Sequence, residues 1–117
     1  MFQKLFGQKA KKAKPVEHAV LVHIIYGKKD VAPLRQLEDQ LQTAITQNNA
    51  GEFDGDEIAV DLSDAFLYMY GPDGDFLFSL IKPILETSQI CKGAEVRVRY
   101  GQPNSGAKEV RFVINDK

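Results

Sequence analysis

The chain has 117 residues, of which 44% are hydrophobic and 26% are charged. This composition is typical of one folded domain and excludes wholesale disorder. No apolar run approaches the ~18 residues that a membrane-spanning helix needs, and the N-terminal segment lacks the apolar core of a signal peptide. We therefore expect a cytoplasmic protein. Its single cysteine, Cys91, excludes an internal disulfide.

The charge is distributed unevenly along the chain. The net charge is −1, but residues 1–14 contain five lysines and no acidic residue, which leaves −6 on the remainder. We predict that residues 1–15 form a flexible basic tail that makes weak contacts with anionic groups, and that residues 16–117 form a single domain. The acidic character of this domain disfavours nucleic acid as the partner, because nucleic-acid affinity rests on clustered lysine and arginine.

The first half of the domain contains one predicted helix between strands. Residues 17–27 are apolar and β-branched, which predicts a strand. Asp30 is a good N-cap for the helix that follows, Pro33 is tolerated in its first turn, and apolar residues recur at helical spacing after it. Two short strands, residues 57–61 and 65–70, come next and are joined by turn-forming residues.

The second half predicts another helix and a hairpin. Asp73 or Asp75 caps the helix, and Pro83 interrupts its apolar stripe, so we expect a kinked or short helix. Residues 94–101 and 109–115 alternate between apolar and charged side chains, which predicts a terminal β-hairpin.

The resulting order of elements, β-α-β-β-α-β-β, indicates an α+β fold. It is the order of the ferredoxin-like split β-α-β sandwich with an extra C-terminal strand. Right-handed crossovers and hairpin pairing predict an antiparallel sheet in the order 5-4-1-3-2, with both helices on one face. Many unrelated functions share this architecture, so the fold alone predicts no activity.

The sheet face away from the helices is the predicted interaction surface. Alternation directs Ile58 and Val60 inward and the arginines of the last hairpin outward. Strand 65–70 is ambiguous, since either its aromatic or its aliphatic set could be exposed. Both alternatives leave an apolar face that favours a homodimer or a protein partner, with the arginine edge of one copy against the acidic edge of the other. The predicted interface residues are Arg97, Arg99, Arg111, Tyr68, Tyr70, Glu57 and Asp61.

Four aspartates form a second candidate site. Asp54, Asp56, Asp73 and Asp75 are predicted at the same end of the sheet, where carboxylates could bind a hard cation such as calcium. Their spacing matches no contiguous calcium loop, and Asp-Gly pairs commonly form turns. We therefore predict no metal and no cofactor, and keep divalent-cation binding as an alternative, beside a weak contact of the basic tail with these acids.

No catalytic residue is predicted. Cys91 is expected near the C-terminal end of the second helix, where the helix dipole disfavours a thiolate. His18 and His23 are separated by an odd number of strand residues and point to opposite faces. The chain also lacks a Walker loop, a G-x-G-x-x-G motif and a CxxC pair.

These observations predict a non-catalytic interaction or regulatory domain, of a size and acidity common among small bacterial proteins, that self-associates through the open sheet face. The alternative is an RRM-like nucleic-acid-binding module in which Phe66, Tyr68 and Tyr70 stack on bases. The usual basic residue and leading glycine of the RNA-binding strand are missing from this segment.

Overall fold

The structure is a computed structural model that describes residues 17–115, so the predicted basic tail, residues 1–15, lies outside the described residues. The fold is α+β, with five strands and two helices. In chain order the elements are β1 (His18–Ile25), α1 (Ala32–Gln47), β2 (Glu52–Ile58), β3 (Asp64–Gly71), α2 (Gly74–Thr87), β4 (Glu95–Arg99) and β5 (Glu109–Val113). A short 3-10 turn, Gln89–Cys91, precedes β4.

The five strands form one open antiparallel sheet in the order β2-β3-β1-β4-β5. Read from the other edge, this is the predicted order 5-4-1-3-2. The central strand, β1, pairs with β3 on one side and with β4 on the other. Each helix therefore connects two strands that run the same way and are separated by one antiparallel strand.

One face of the sheet is covered by both helices. The inward residues of β1, β3 and β4 are fully buried and pack in one cluster with the apolar residues of α1 and α2. Leu34, Leu37, Leu41 and Ile45 contribute from α1, and Leu77, Phe78, Ile81 and Leu85 from α2. Apolar residues recur about every 3.6 positions in the helices and every second position in the strands, which directs them into this single core.

The prediction for β2 is wrong in its position. The strand spans Glu52–Ile58 and not residues 57–61, and Val60, predicted to point inward, is fully exposed in the following turn. Gly55 has a φ of +104° at the point where the β2–β3 register shifts. A bulge of this kind lets an acidic, glycine-containing segment pair as an edge strand, although its residues favour turns.

The helix ends differ partly from the predictions. The N-cap of α1 is Val31, while the Asp30 carboxylate accepts a hydrogen bond from the Ala32 amide. Asp73 is the N-cap of α2, as predicted, and accepts a hydrogen bond from the Phe76 amide at 3.1 Å. Pro83 lies inside α2, which continues to Thr87. Within residues 17–115 no helix combines the length and the apolar character that crossing a bilayer requires.

Candidate functional site

The open sheet face, on the side away from the helices, presents three rows of side chains that cross the strands. The register places residues of neighbouring strands side by side, so each row can be read from β2 to β5. The first row contains Glu57, Phe66, His23, Glu95 and Val113; the second contains Tyr68, Leu21, Arg97 and Arg111; and the third contains Glu52, Tyr70, Ala19, Arg99 and Glu109. In the second row, β2 contributes the bulge that includes Asp54.

The ambiguous strand places its aromatic residues on this face. Ala65, Leu67 and Met69 of β3 are fully buried under the helices, which leaves the alternate residues Phe66, Tyr68 and Tyr70 outward. The side chain of Phe66 remains 39% exposed. Outward-facing apolar residues continue along β1 and at the β5 edge, where Ile25 is 67% and Val113 is 50% exposed. A sheet face with this much exposed apolar surface is typical of an interaction surface.

Tyr68 is held in place by an acidic neighbour on β2. Its hydroxyl donates a hydrogen bond to Glu57 Oε1 at 2.5 Å. This hydrogen bond to a carboxylate, with a smaller contribution from burial, raises the pKa of Tyr68 to about 12. The phenol therefore stays protonated at neutral pH and its ring is fixed in the middle of the open face.

His23 forms a hydrogen bond with Asp64 that the sequence analysis does not predict. Its Nε2 lies 2.8 Å from Asp64 Oδ1, and its ring stacks on Phe66 with centroids 4.3 Å apart. The contact could have been predicted from the antiparallel pairing of β1 with β3, because that pairing places Asp64 diagonally opposite His23. Ser63 Oγ, whose hydroxyl donates to Asp61 Oδ1 at 2.6 Å, lies 3.2 Å from Asp64 Oδ2. The aspartate therefore holds the histidine in place. The serine is not activated as a nucleophile, because activation requires its hydroxyl to be hydrogen-bonded to the imidazole.

A shallow depression lies at the centre of the open face. It has a volume of about 220 Å³ and is lined by Leu21, Val22, His23, Phe66, Tyr68, Glu95 and Arg97. Its walls are apolar and aromatic on the β1 and β3 side and charged on the β4 side. A side chain of a partner protein is of suitable size for it.

The three predicted arginines lie together on β4 and β5. Glu95 Oε1 is 3.6 Å from Arg97 Nε, and Glu95 Oε2 is 3.5 Å from Arg111 Nη1. Arg99 Nε donates to the carbonyl of Gly101 at 2.8 Å. These ion pairs are long and half exposed, so they are weak and leave the guanidinium groups free to bind another molecule.

The acidic residues named for the interface lie at the opposite edge, but in different settings. Glu57 is exposed in β2 beside Tyr68. Asp61 follows the strand, in the turn before β3, where it accepts hydrogen bonds from the amide and the hydroxyl of Ser63. The bond from the Ser63 hydroxyl, followed by that from its amide, lowers the pKa of Asp61. Asp61 therefore stabilises the turn. The acidic residue at the β2 end of the third row is Glu52.

Three of the four aspartates of the candidate metal site have separate partners. Asp56 contacts Arg35 of α1 at 2.6 Å, Asp73 caps α2, and Asp75 accepts a hydrogen bond from the Tyr100 hydroxyl at 2.5 Å. Asp54 is exposed at the bulge of β2. Among residues 17–115, no three histidine, cysteine, aspartate or glutamate side chains are grouped in a way that could hold a metal ion.

The remaining residues considered for catalysis lie apart from one another. Cys91 is in the 3-10 turn and fully buried, and burial raises the pKa of its thiol to about 11. His18 faces the helices, where its Nδ1 accepts a hydrogen bond from the Gly74 amide, while His23 faces outward. The two histidines therefore lie on opposite faces of the sheet, as predicted.

One buried acidic residue on the helix side was also missed. Glu38 of α1 is only 8% exposed, its Oε1 accepts a hydrogen bond from Arg35 at 2.9 Å, and its Oε2 has no partner within residues 17–115. Burial, reinforced by the neighbouring Asp56 carboxylate, raises the pKa of Glu38 to about 7. Helical spacing places Glu38 beside Leu37 and Leu41 on the inner side of α1. Its burial could have been predicted from this spacing.

Comparison of the chain with protein-family models, with curated proteins and with solved structures finds no significant match.

Proposed function

We propose that this protein is a small, non-catalytic interaction domain that self-associates through its open sheet face, and that its architecture is the ferredoxin-like split β-α-β sandwich with β5 added at one edge. The observation that carries the proposal is the composition of that face. Partly exposed Leu21, Phe66 and Tyr68 occupy its middle. The β4–β5 side carries three arginines with two glutamates, and the β2 side carries only acidic residues. Such a surface is complementary to a second copy of itself.

The chemistry of the described residues supports a non-catalytic role. The thiol of Cys91 is buried and its pKa is raised to about 11, whereas a nucleophilic cysteine needs a lowered pKa and access to solvent. The His23–Asp64 pair has the imidazole hydrogen-bonded to the carboxylate but no hydroxyl or thiol bonded to the imidazole. These contacts support a histidine that positions Phe66 on the interaction surface.

The size of the face supports a weak, reversible association. Five strands about 4.8 Å apart, with three rows of side chains about 7 Å apart, cover roughly 500 Å² of sheet plane. A standard stable interface buries about 800 Å² per partner. We therefore expect a dissociation constant of about 1–100 µM, with both monomer and dimer present at laboratory concentrations.

Sedimentation velocity over a concentration series tests this proposal. A weight-average sedimentation coefficient that rises from the monomer value toward that of a dimer between roughly 1 and 500 µM supports it. A control lacking residues 1–14 determines whether the basic tail is responsible, and the proposal requires the same concentration dependence without it. A constant monomer value up to roughly 500 µM would contradict self-association through any surface.

One specific observation favours a second candidate, the binding of single-stranded nucleic acid. Phe66, Tyr68 and Tyr70 line one strand of the open face, and Arg97 and Arg99 lie two strands away. Aromatic platforms beside guanidinium groups are the usual means of binding unpaired bases. The acidic residues of β2 and the fixed Tyr68–Glu57 hydrogen bond oppose this alternative.

Fluorescence anisotropy with labelled single-stranded oligonucleotides separates the two candidates. The nucleic-acid alternative requires saturable binding that weakens with salt, persists after deletion of residues 1–14, and is lost in Phe66→Ala. Binding that disappears with the tail deletion would be nonspecific charge attraction. No saturable binding below about 100 µM would exclude the alternative.

A further inference from the structure

The symmetry of a face-to-face dimer limits how two copies of this domain can meet. A two-fold axis that relates two face-to-face sheets must lie in the plane between them. The two directions that keep the strands of both sheets aligned are parallel to the strands and perpendicular to them. Because β1 is the central strand of five, an axis through the middle of the face passes over β1 near Leu21. The two orientations bring different charged rows together.

An axis perpendicular to the strands places each strand over its own copy. In the second row, Arg97 then faces Arg97 of the partner copy and Arg111 faces Arg111, while Asp54 approaches Asp54 at the other edge. The first row meets the third, so Glu57 faces Glu52. One favourable pair, Glu95 with Arg99, does not offset these like-charge contacts, which oppose association.

An axis parallel to the strands exchanges the two sides of the sheet. It places β3 of one copy over β4 of the other and β2 over β5, while β1 lies over itself. Each row then faces the same row of the partner copy. The arginines of β4 come to lie over the tyrosine rings of β3, where a guanidinium group and an aromatic face attract each other.

The β2 and β5 edges are also better matched in this orientation. Asp54 at the bulge faces Arg111 in the second row, which is an opposite-charge pair. In the third row Glu52 faces Glu109, and this is the one like-charge approach. It occurs at the outer edge of the face, where water and salt screen it.

Resting on the proposed self-association, we infer that the partner is a second copy turned about an axis parallel to β1, so that Arg97 and Arg99 of each copy lie over Tyr68 and Tyr70 of the other. The outward residues of β1, among them Leu21 and His23, meet their own copies on the axis. The axis thus defines two classes of position on this face. Residues of β1 face the same residues of the partner copy, and residues of an edge strand face the opposite edge strand of the partner copy.

Cysteine cross-linking of the full-length chain distinguishes these classes. Two packed sheets lie about 10 Å apart, so a bis-maleimide spanning roughly that distance joins cysteines that face each other. Leu21→Cys and His23→Cys should each form a covalent dimer with themselves. Asp54→Cys and Arg111→Cys should give no dimer alone, but should give the mixed dimer when combined, identified by mass with one of them labelled with nitrogen-15.

Two controls account for other sources of cross-linking. The unmodified protein, whose Cys91 is fully buried, measures the reaction of the native thiol and should form no covalent dimer after treatment. Gln42→Cys, at an exposed position of α1, measures random collision and should give less than about a tenth of the product of His23→Cys. Circular dichroism of each variant confirms that it is folded. Leu21 faces its own copy in either orientation, so Leu21→Cys tests the open face as the interface, whereas His23→Cys tests the direction of the axis.

The possible results distinguish an error in the direction of the axis from an error in the proposed function. Self-linking of Asp54→Cys or Arg111→Cys, with no self-linking of His23→Cys, would overturn the parallel axis and leave self-association through the open face intact. Failure of every face variant in a protein that sediments as a dimer would assign the interface to another surface. A protein that sediments as a monomer would overturn the proposed function itself.

Discussion

Tyr68 on β3 donates a hydrogen bond of 2.5 Å to Glu57, which lies diagonally opposite on the neighbouring strand β2 of the open face. This contact joins the aromatic strand to the acidic edge strand, and it fixes the tyrosine ring where a partner would meet it. Because this hydrogen bond already orders the Glu57 side chain in the free protein, placing its negative charge at that edge costs no further side-chain entropy on binding. The open face is therefore partly preorganised for binding.

Tyr68→Phe removes this hydrogen bond and keeps the ring. Since the contact is exposed, we expect the free energy of unfolding to fall by about 0.5–1 kcal/mol, measured by urea denaturation. We expect self-association to persist, because the aromatic face remains. Tyr68→Ala is the matched variant, and it should weaken self-association at least about tenfold by removing the ring as well. Equal self-association of the Phe and Ala variants would contradict a role for the ring.

Glu38 predicts a pH dependence of stability. Its pKa in the folded protein is about 7, compared with an ordinary value of 4.5, so the folded state binds one more proton than the unfolded state between these values. The stabilising protonation is fully present below about pH 4.5 and is lost as the pH rises through 7. We expect Glu38→Gln to flatten this part of the stability profile and to raise the stability at pH 8 by on the order of 1–3 kcal/mol.

The control for this prediction is Glu86→Gln, at an exposed position of α2 where the carboxylate is 3.9 Å from Lys82. Urea denaturation at several pH values between 4.5 and 8 compares the two variants with the unmodified protein. A profile that keeps its slope in Glu38→Gln would assign the dependence to other groups.

Gly51 predicts a strong local constraint at the start of β2. Its φ is +141°, and a Cβ there would lie 2.0 Å from the carbonyl oxygen of Tyr70. We expect Gly51→Ala to lower the free energy of unfolding by about 2–4 kcal/mol, because the backbone of β3 must move away. Gly27→Ala is the control: it has a φ of +62° with open space around it and should cost about 1 kcal/mol. Equal losses of unfolding free energy in the two variants, measured by denaturation, would show that the approach of Gly51 to Tyr70 does not constrain the residue at position 51.

Asp73 should act as a helix cap and not as a metal ligand. Asp73→Ala removes the acceptor of the Phe76 amide and should cost about 1 kcal/mol, whereas Asp73→Asn keeps a capping oxygen and should cost a few tenths. Thermal melts with and without millimolar calcium should be the same for the unmodified protein. A calcium-dependent rise in melting temperature that is lost in Asp73→Asn would instead support the cation alternative.

The order of the strands could be predicted because it depends on long, strongly patterned segments. Alternation in β4 and helical spacing in α2 each identify an inner face, and hairpin pairing then leaves few sheet orders. The position of β2 could not be predicted in this way. Its residues have weak strand propensity, and what pairs them with β3 is a bulge at Gly55 together with the close approach of Gly51 to Tyr70, both of which depend on tertiary contacts.

The candidate surface was predictable in composition but not in detail. The outward arginines follow from strict alternation, whereas the exposed set of β3 required knowledge of how β1 and β3 pair, since both sets of side chains are apolar enough to be buried. The His23–Asp64 contact joins residues that are distant in the chain, and the raised pKa of Glu38 depends in part on Asp56 of β2. The aspartates illustrate the same limit, because Asp56, Asp73 and Asp75 each bond to a different residue, Arg35, Phe76 and Tyr100 respectively.

The central claim, self-association through the arginines and aromatic residues of the open face, is tested most directly by sedimentation of a charge-reversed protein. Arg97→Glu with Arg99→Glu changes β4, and Lys82→Glu with Lys92→Glu makes the same change in charge at exposed positions outside that face. We predict that the arginine variant stays monomeric at concentrations where the unmodified protein and the lysine variant dimerise, a loss in affinity of at least about tenfold. Unchanged dimerisation of the arginine variant, or equal losses in both variants, would contradict the account.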